Sequence, residues 1–244
     1  SLVAAATTES YDLVSLSPQF ILNYPGEWWF QPALLMTLLY RFDSAGVRNQ
    51  TPDRVMANGQ CFLCRRAVLA QLDGYTSAAA SFCDDVTLAR NAAQQGFKVG
   101  FLDGAKVIRV RMYAGMAQTW QEWGRSIDLK DATTPIQLVG DLALLSLTQA
   151  LPLPLTLIFW SYCGWESSVL TVKLAIGLNL FLVTIRVALL LAIYPSYYRP
   201  HRVSPAAWLF WLSPLADPLA VLRIFLSASQ TPKHWRGRLY ERIR

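Results

Sequence analysis

Asp84 and Asp85 stand side by side in "ASFCDDVTLARNAAQQGFKVGF", residues 79–100, at the start of a helical pattern that stops at Gly96. An acid at a helix start is favoured by the helix dipole and can cap free backbone N–H groups. One aspartate satisfies that need, so the second is available for chemistry. A carboxylate at the mouth of a helix, beside an apolar wall and another acid, has the setting of a general base. Its natural task is to take the proton of a hydroxyl as that hydroxyl attacks an electrophile. A second group lies downstream in "QTWQEWGRSID", where Trp120, Trp123 and Arg125 fall within two helical turns. Aromatic faces and a guanidinium there suit either a ligand contact or an amphipathic helix resting on a membrane.

Other reactive residues offer less. Cys61 and Cys64 form a C-x-x-C without a second pair at ligand spacing. "CFLC" reads as a strand, which turns the two thiols to opposite faces and prevents them from sharing a metal. With Cys83 and Cys163 they make four cysteines, which is no disulfide framework. His201 and His234 both lie in basic stretches near the apolar half, so a Ser/His hydrolase is not supported.

The elements that must position the acids alternate in type. "YDLVSLSPQF" is a strand by its alternation and its Val, Leu and Phe content. Residues 27–42 form a short apolar helix with aromatic ends. It is shorter than the ~20 residues a membrane crossing needs, and suits either the lipid–water interface or a buried core. Asn58-Gly59 is a turn before the strand "CFLC", and a helix opens at Arg65-Arg66 and closes at Asp73-Gly74. The helix 84–95 leads into the strand "FKVGFLD", and "AKVIRVRMY" is a further strand. Alternation of this kind predicts an α/β domain over residues 1–138. The first residues read as a helix tail running into a strand, so the sequence is expected to begin inside a domain.

From residue 139 the texture changes. Leu142 to about Trp160 and Val169 to Tyr194 are long enough to cross a bilayer. Residues 205–229 are apolar but interrupted by Pro214, Asp217 and Pro218. The chain as a whole is 53% hydrophobic, with nine tryptophans and a formal charge of +6. Residues 1–138 hold 12 Lys/Arg against 12 Asp/Glu, whereas 139–244 hold 10 against 4. The positive excess therefore belongs to the apolar half. This favours an anionic lipid surface and argues against a nucleic-acid partner. Basic clusters at Arg199, His201 and Arg202 and at Lys233 to Arg244 both belong on the cytoplasmic side. That predicts a membrane region over 139–232 with two spans and a broken or re-entrant segment, then a basic juxtamembrane tail over 233–244. A true third span is the other possibility.

These residues carry a resemblance. "NGQCFLCRRAVLAQLDGY" followed by "CDDVTLARNAAQQGFKV" is similar to the acceptor half of family 2 glycosyltransferases, of the processive and ceramide-glucosyltransferase-like types. The matching elements are Asn58-Gly59-Gln60, Arg65-Arg66, Asp73-Gly74-Tyr75, Asp84-Asp85, Leu88-Ala89 and Gly96. The resemblance covers residues 12–138 well and the membrane part loosely. It implies a partial GT-A-type (nucleotide-diphospho-sugar transferase) domain, here its acceptor-side half with interface helices, followed by membrane helices. It implies that Asp85 deprotonates an acceptor hydroxyl while Asp84 orients it or contacts the acceptor. Gly59, Gln60, Trp120, Trp123 and Arg125 then contact the acceptor or the diphosphate. Arg125 matches the arginine of the family's Gln/Arg-x-x-Arg-Trp motif, whereas Glu122 and Ser126 depart from it. "KHWRGRLY" resembles the family's Trp-Arg-Gly-Arg tail, and equally suits Arg anchored to lipid phosphate.

The family holds a divalent cation, Mg or Mn, through an Asp-x-Asp beside the nucleotide-sugar donor. No Asp-x-Asp occurs in these 244 residues. The donor half is therefore expected upstream, and the fragment is expected to be inactive alone. The implied reaction is inverting transfer of a sugar to a lipid-like alcohol, giving a glycolipid or a carotenoid glycoside. The texture is similar to that of bacterial carotenoid glycosyltransferases, which implies an integral protein of the plasma or thylakoid membrane with its catalytic domain cytoplasmic. A polysaccharide synthase is an alternative. So is a membrane transporter or scaffold, for which Arg186 and Asp217 inside apolar segments are the relevant features.

Overall fold

The computed structural model describes residues 2–42, 44–46, 51–79, 81, 83–123, 127, 129, 132–163, 169–198, 204–229, 234–235 and 238–239. These residues form a mixed α/β, mostly helical structure. Helix α1 (Leu2–Thr8) precedes β1 (Leu13–Ser17) and β2 (Gln19–Phe20). Helix α2 (Pro25–Arg41) follows, then β3 (Phe62–Cys64), α3 (Arg66–Gln71) and α4 (Asp84–Gln94). Strands β4 (Val99–Asp103) and β5 (Arg109–Val110) and the short helix α5 (Gly115–Gln118) complete this half.

Strand β1 lies between β3 and β4, antiparallel to β3 and parallel to β4, with Leu13 opposite both Cys64 and Val99. Its alternation divides two faces. Leu13 packs into a cluster with Val68 and Leu72 and with Leu88, Ala89 and Ala92 of α4. Val14 and Leu16 pack with Tyr11 on the other face, against Leu2 and Ala6 of α1. Cys64 joins the first cluster and Cys61 the second, so the C-x-x-C thiols point to opposite sides.

The short apolar helix of the sequence reading is α2, and it is a buried core helix. Trp28, Phe30, Leu34 and Met36 are all essentially inaccessible. Its head is fixed by Glu27, a buried carboxylate that accepts hydrogen bonds from the amides of Asn23 at 2.5 Å and Gly115 at 2.7 Å and pairs with Arg111 at 3.2 Å. A Cβ added at Gly26 would come within 2.6 Å of the Met116 Cβ, so glycine permits the close approach of α2 and α5.

The apolar half wraps around α2. Helix α6 (Pro135–Leu145) passes through a π-turn at Ser146–Ala150 and bends by 46° into α7 (Pro152–Cys163). The proline at 152 has no N–H to continue the ladder, and the π-turn offsets it further. Helix α8 (Leu170–Ile193) continues as a 3-10 turn through Ser196. Pro205–Ala216 is a 3-10 helix that runs directly into α9 (Asp217–Ser229). Residues 170–196 and 205–229 are the two helices long and apolar enough to span a membrane among the described residues, with the bent pair a third if it crosses as one unit. Residues 170–196 match the second of the two stretches that hydropathy favours, whereas a bend divides the first, and the interrupted segment stays helical through its prolines. The two candidate spans differ in setting: 22% of the first window is buried within the structure, against 50% of the second. The 3-10 helix lies along α2, where the Trp29 Nε1–H donates to the Leu212 carbonyl at 3.1 Å. Short strands β6 (His234–Trp235) and β7 (Arg238–Leu239) pair antiparallel in the tail.

The two charges embedded in apolar segments meet. Arg186 of α8 donates from Nε to Asp217 Oδ2 at 2.7 Å and from Nη2 to Oδ1 at 2.9 Å. Gln149 donates to the same Oδ1 at 2.9 Å, and all three side chains are buried. A charge pair with this geometry neutralises what neither segment could carry alone into hydrocarbon.

Candidate functional site

The acids sit where the sequence places them, at the first two residues of α4. Cys83 at the N-cap offers no side-chain cap, so the first amides need other acceptors. Asp84 Oδ1 accepts from the Asp85 N–H at 2.9 Å, and Asp85 Oδ1 accepts from the Val86 N–H at 2.9 Å. The remaining oxygen, Asp85 Oδ2, reaches across the fold and accepts from the Gly59 N–H at 2.6 Å. Asp84 is exposed and Asp85 half-buried. Among the described residues no arginine or lysine pairs with Asp85.

The loop holding Gly59 is itself fixed. The buried Ser15 hydroxyl donates to the Asn58 carbonyl at 2.9 Å and accepts from the Asn58 N–H at 2.7 Å. Asn58 Oδ1 accepts from the Gln60 N–H at 3.1 Å, an Asx turn. A Cβ at Gly59 would lie 3.3 Å from Asp85 Oδ2. Glycine thus lets the amide approach the carboxylate closely. Gln60 turns the other way, its Nε2 at 3.0 Å from the Met112 sulfur. Met112 packs against the clusters that bury Trp123 and Trp28, so the loop bridges the sheet domain and the helical half.

Burial pushes the Asp85 carboxyl above the ordinary aspartate range. The amides of Val86 and Gly59 oppose this, and the neighbouring Asp84 adds to it. The Tyr75 phenol is also held up, first by burial and then by Asp84 and Asp85. Tyr75 is exposed and packs its ring on Phe62 at 6.3 Å. A half-buried carboxylate of raised basicity, held in place by two amides, can accept a proton from a hydroxyl that reaches it.

The other expected contacts are distributed differently. Trp120 stacks on Phe30 at 5.7 Å, and the Arg223 guanidinium lies 5.7 Å from its ring centroid. Trp123 is buried, with Phe20 and Tyr113 rings at 6.2 and 6.4 Å. Both indoles therefore spend their faces on the helical core, and the partner that Asp85 finds outside its own helix is the Gly59 amide. Arg125 lies outside the described residues. Sequence reasoning missed Ser15 and Met112, which no local pattern distinguishes from ordinary strand and loop residues. It singled out Arg186 and Asp217 without pairing them, although two opposite charges alone in apolar segments are themselves a pairing signal.

No cation site is formed by these residues. Among the described residues no three His, Cys, Asp or Glu side chains come together, and Asp85 directs both oxygens at amides. The donor set does not fit a divalent ion. No family model, curated protein or solved structure matches the chain.

Proposed function

We propose that this chain is the acceptor-side part of a membrane-bound inverting glycosyltransferase with a GT-A-type domain. The reaction moves a sugar from a nucleotide-diphospho-sugar to a hydroxyl of a lipid-like acceptor, giving a glycolipid or carotenoid glycoside. Asp85 is the base and takes the hydroxyl proton as the oxygen attacks the anomeric carbon, while the nucleotide diphosphate departs with the bonding pair. Asp84 fixes the head of the helix that carries it. Gly59 and Gln60 line the approach. The catalytic domain lies on the cytoplasmic face of a bacterial membrane, with residues 205–229 re-entering beside α2. The single observation that carries this reading is the Asp85 carboxylate, raised in basicity and held at 2.6 Å by the Gly59 amide on a loop that reaches the apolar half. The transport reading draws less support, since Arg186 and Asp217 neutralise each other.

The test uses the full-length gene product in membranes, supplied with labelled nucleotide sugars and a lipid extract. Label should enter one lipid class, and Asp85→Asn should remove the transfer while the protein remains folded and membrane-bound. Normal transfer by that variant would show that Asp85 is not the base.

A further inference from the structure

The ribbon of β2 and β5 meets the end of a candidate membrane span. The two strands pair in parallel, with Gln19 opposite Arg109 and Phe20 opposite Val110. Phe20 also forms a bridge with Tyr197, and the Tyr198 N–H donates to the Phe20 carbonyl at 2.7 Å. The Gln19 Nε2 donates to the Pro195 carbonyl at 3.2 Å. Residues 195–198 thus tie the end of the 170–196 span directly to this ribbon. Tyr194 and Trp211, with ring centroids 5.1 Å apart, have the composition of an aromatic belt at the same level.

Arg109 stands at that junction, exposed. Its guanidinium lies 4.2 Å from the centroid of the Tyr198 ring, and its Nε donates to Gln19 Oε1 at 3.2 Å. Among the described residues no carboxylate pairs with it. Arg111, on the same strand side, differs: its charge is met by the buried Glu27 at 3.2 Å. A guanidinium stacked on an aromatic face is held in orientation and keeps a donor edge that matches a phosphate. At the end of an apolar helix, the phosphates within reach are those of lipid headgroups. We propose that Arg109, braced on Tyr198, binds the phosphate of an anionic phospholipid and so ties β5 to the membrane surface. The contact bears on the rest of the fold through Met112, three residues further on, whose sulfur meets Gln60 of the loop that carries Gly59. It does not use Asp85 and holds whether or not the transfer reaction occurs.

The full-length protein in detergent is titrated with phosphatidylglycerol or phosphatidylcholine, and retained lipid is counted by native mass spectrometry. Arg109→Gln should lower phosphatidylglycerol retention about fivefold, the factor that one arginine near an anionic surface supplies, with little change for phosphatidylcholine. Tyr198→Leu keeps an apolar side chain but removes the ring, and should lower it by about threefold. Arg66→Gln removes the same charge from the exposed start of α3, outside the ribbon, and should leave retention at the parent level. Glycerol phosphate, which lacks the acyl chains, should not displace the lipid at equal concentration. Equal losses from Arg109→Gln and Arg66→Gln would reduce the effect to net charge and overturn the proposal. So would phosphatidylglycerol retention that Arg109→Gln leaves unchanged. Release of the lipid by glycerol phosphate would do the same, by making the ligand a soluble anion.

Discussion

The Arg186–Asp217 pair joins α8 to α9, and its removal makes a prediction that needs no substrate. Asp217→Leu leaves a buried guanidinium whose Nη1 already has no partner and whose other nitrogens keep only the Ser213 hydroxyl, 3.4 Å away. Arg186→Leu leaves a buried carboxylate with the Gln149 amide alone, at 2.9 Å. Breaking a buried pair from one side costs about 3–5 kcal/mol. In a chain of this size each kcal/mol moves the midpoint by about 2–4 °C, so each single variant should lose roughly 6–20 °C. The double Leu variant removes both charges at once and should lie within a few degrees of the parent. The assay is thermal unfolding of the detergent-solubilised protein, followed by its abundant tryptophan fluorescence. A coupling of more than about 2 kcal/mol across the cycle is expected. Additive losses would mean that the two side chains do not interact, and the placement of 205–229 against α8 would fall with them.

Three further outcomes test the site and its frame. Gly59→Ala adds a carbon 3.3 Å from Asp85 Oδ2, so the carboxylate must shift by a few tenths of an ångström. Transfer should fall by about tenfold or more while the unfolding midpoint changes little, because misplacement of this order degrades positioning more than packing. Asp85→Asn should gain stability as pH rises. The folded carboxyl titrates above its ordinary 3.8, so its contribution is complete below that value and is lost as pH climbs through the raised one. The midpoint of the variant relative to the parent should therefore be higher at pH 7 than at pH 4, and the reverse order would contradict the burial argument. Single cysteines placed at positions 201 and 242 should label from the same side of sealed vesicles if 205–229 re-enters. Labelling from opposite sides would make that segment a full crossing.

Local chemistry made much of this legible. The aspartates mark the start of α4 because the first amides need acceptors. Gly96 marks its end because the chain turns there with φ +84°. The alternation of "YDLVSLS" gave β1 for the same reason that Leu13 and Val14 enter different clusters. What sequence spacing could not supply is non-local. Gly59 and Asp85 are 26 residues apart, and nothing in either neighbourhood reports the other. The tryptophans at 120 and 123 carry the composition of an interfacial belt. Phe30, Phe20 and Arg223 decide that they pack inward, and those partners arrive from distant elements. Pro152 marks the bend locally, but the seating of the 3-10 helix 205–216 along α2 is non-local, and hydropathy does not encode it.

The need for two acids also has a structural answer. A lone aspartate at the head of α4 must choose between capping the helix and facing a ligand. Here Asp84 takes the Asp85 amide, and Asp85 needs only one oxygen for the Val86 amide. Its other oxygen is then available to cross to Gly59, which fixes the side chain in two directions. Each carboxylate oxygen offers two lone pairs, so an oxygen that accepts one amide bond can still accept a proton. Two amide bonds alone would stabilise the charge and make a weak base. Burial outweighs them and leaves the carboxyl more basic than a free aspartate. Rigid placement and retained basicity pull against each other in most carboxylates. At Asp85 they coexist because its neighbour carries part of the capping, and because the amide that holds it belongs to a glycine on a separate, anchored loop.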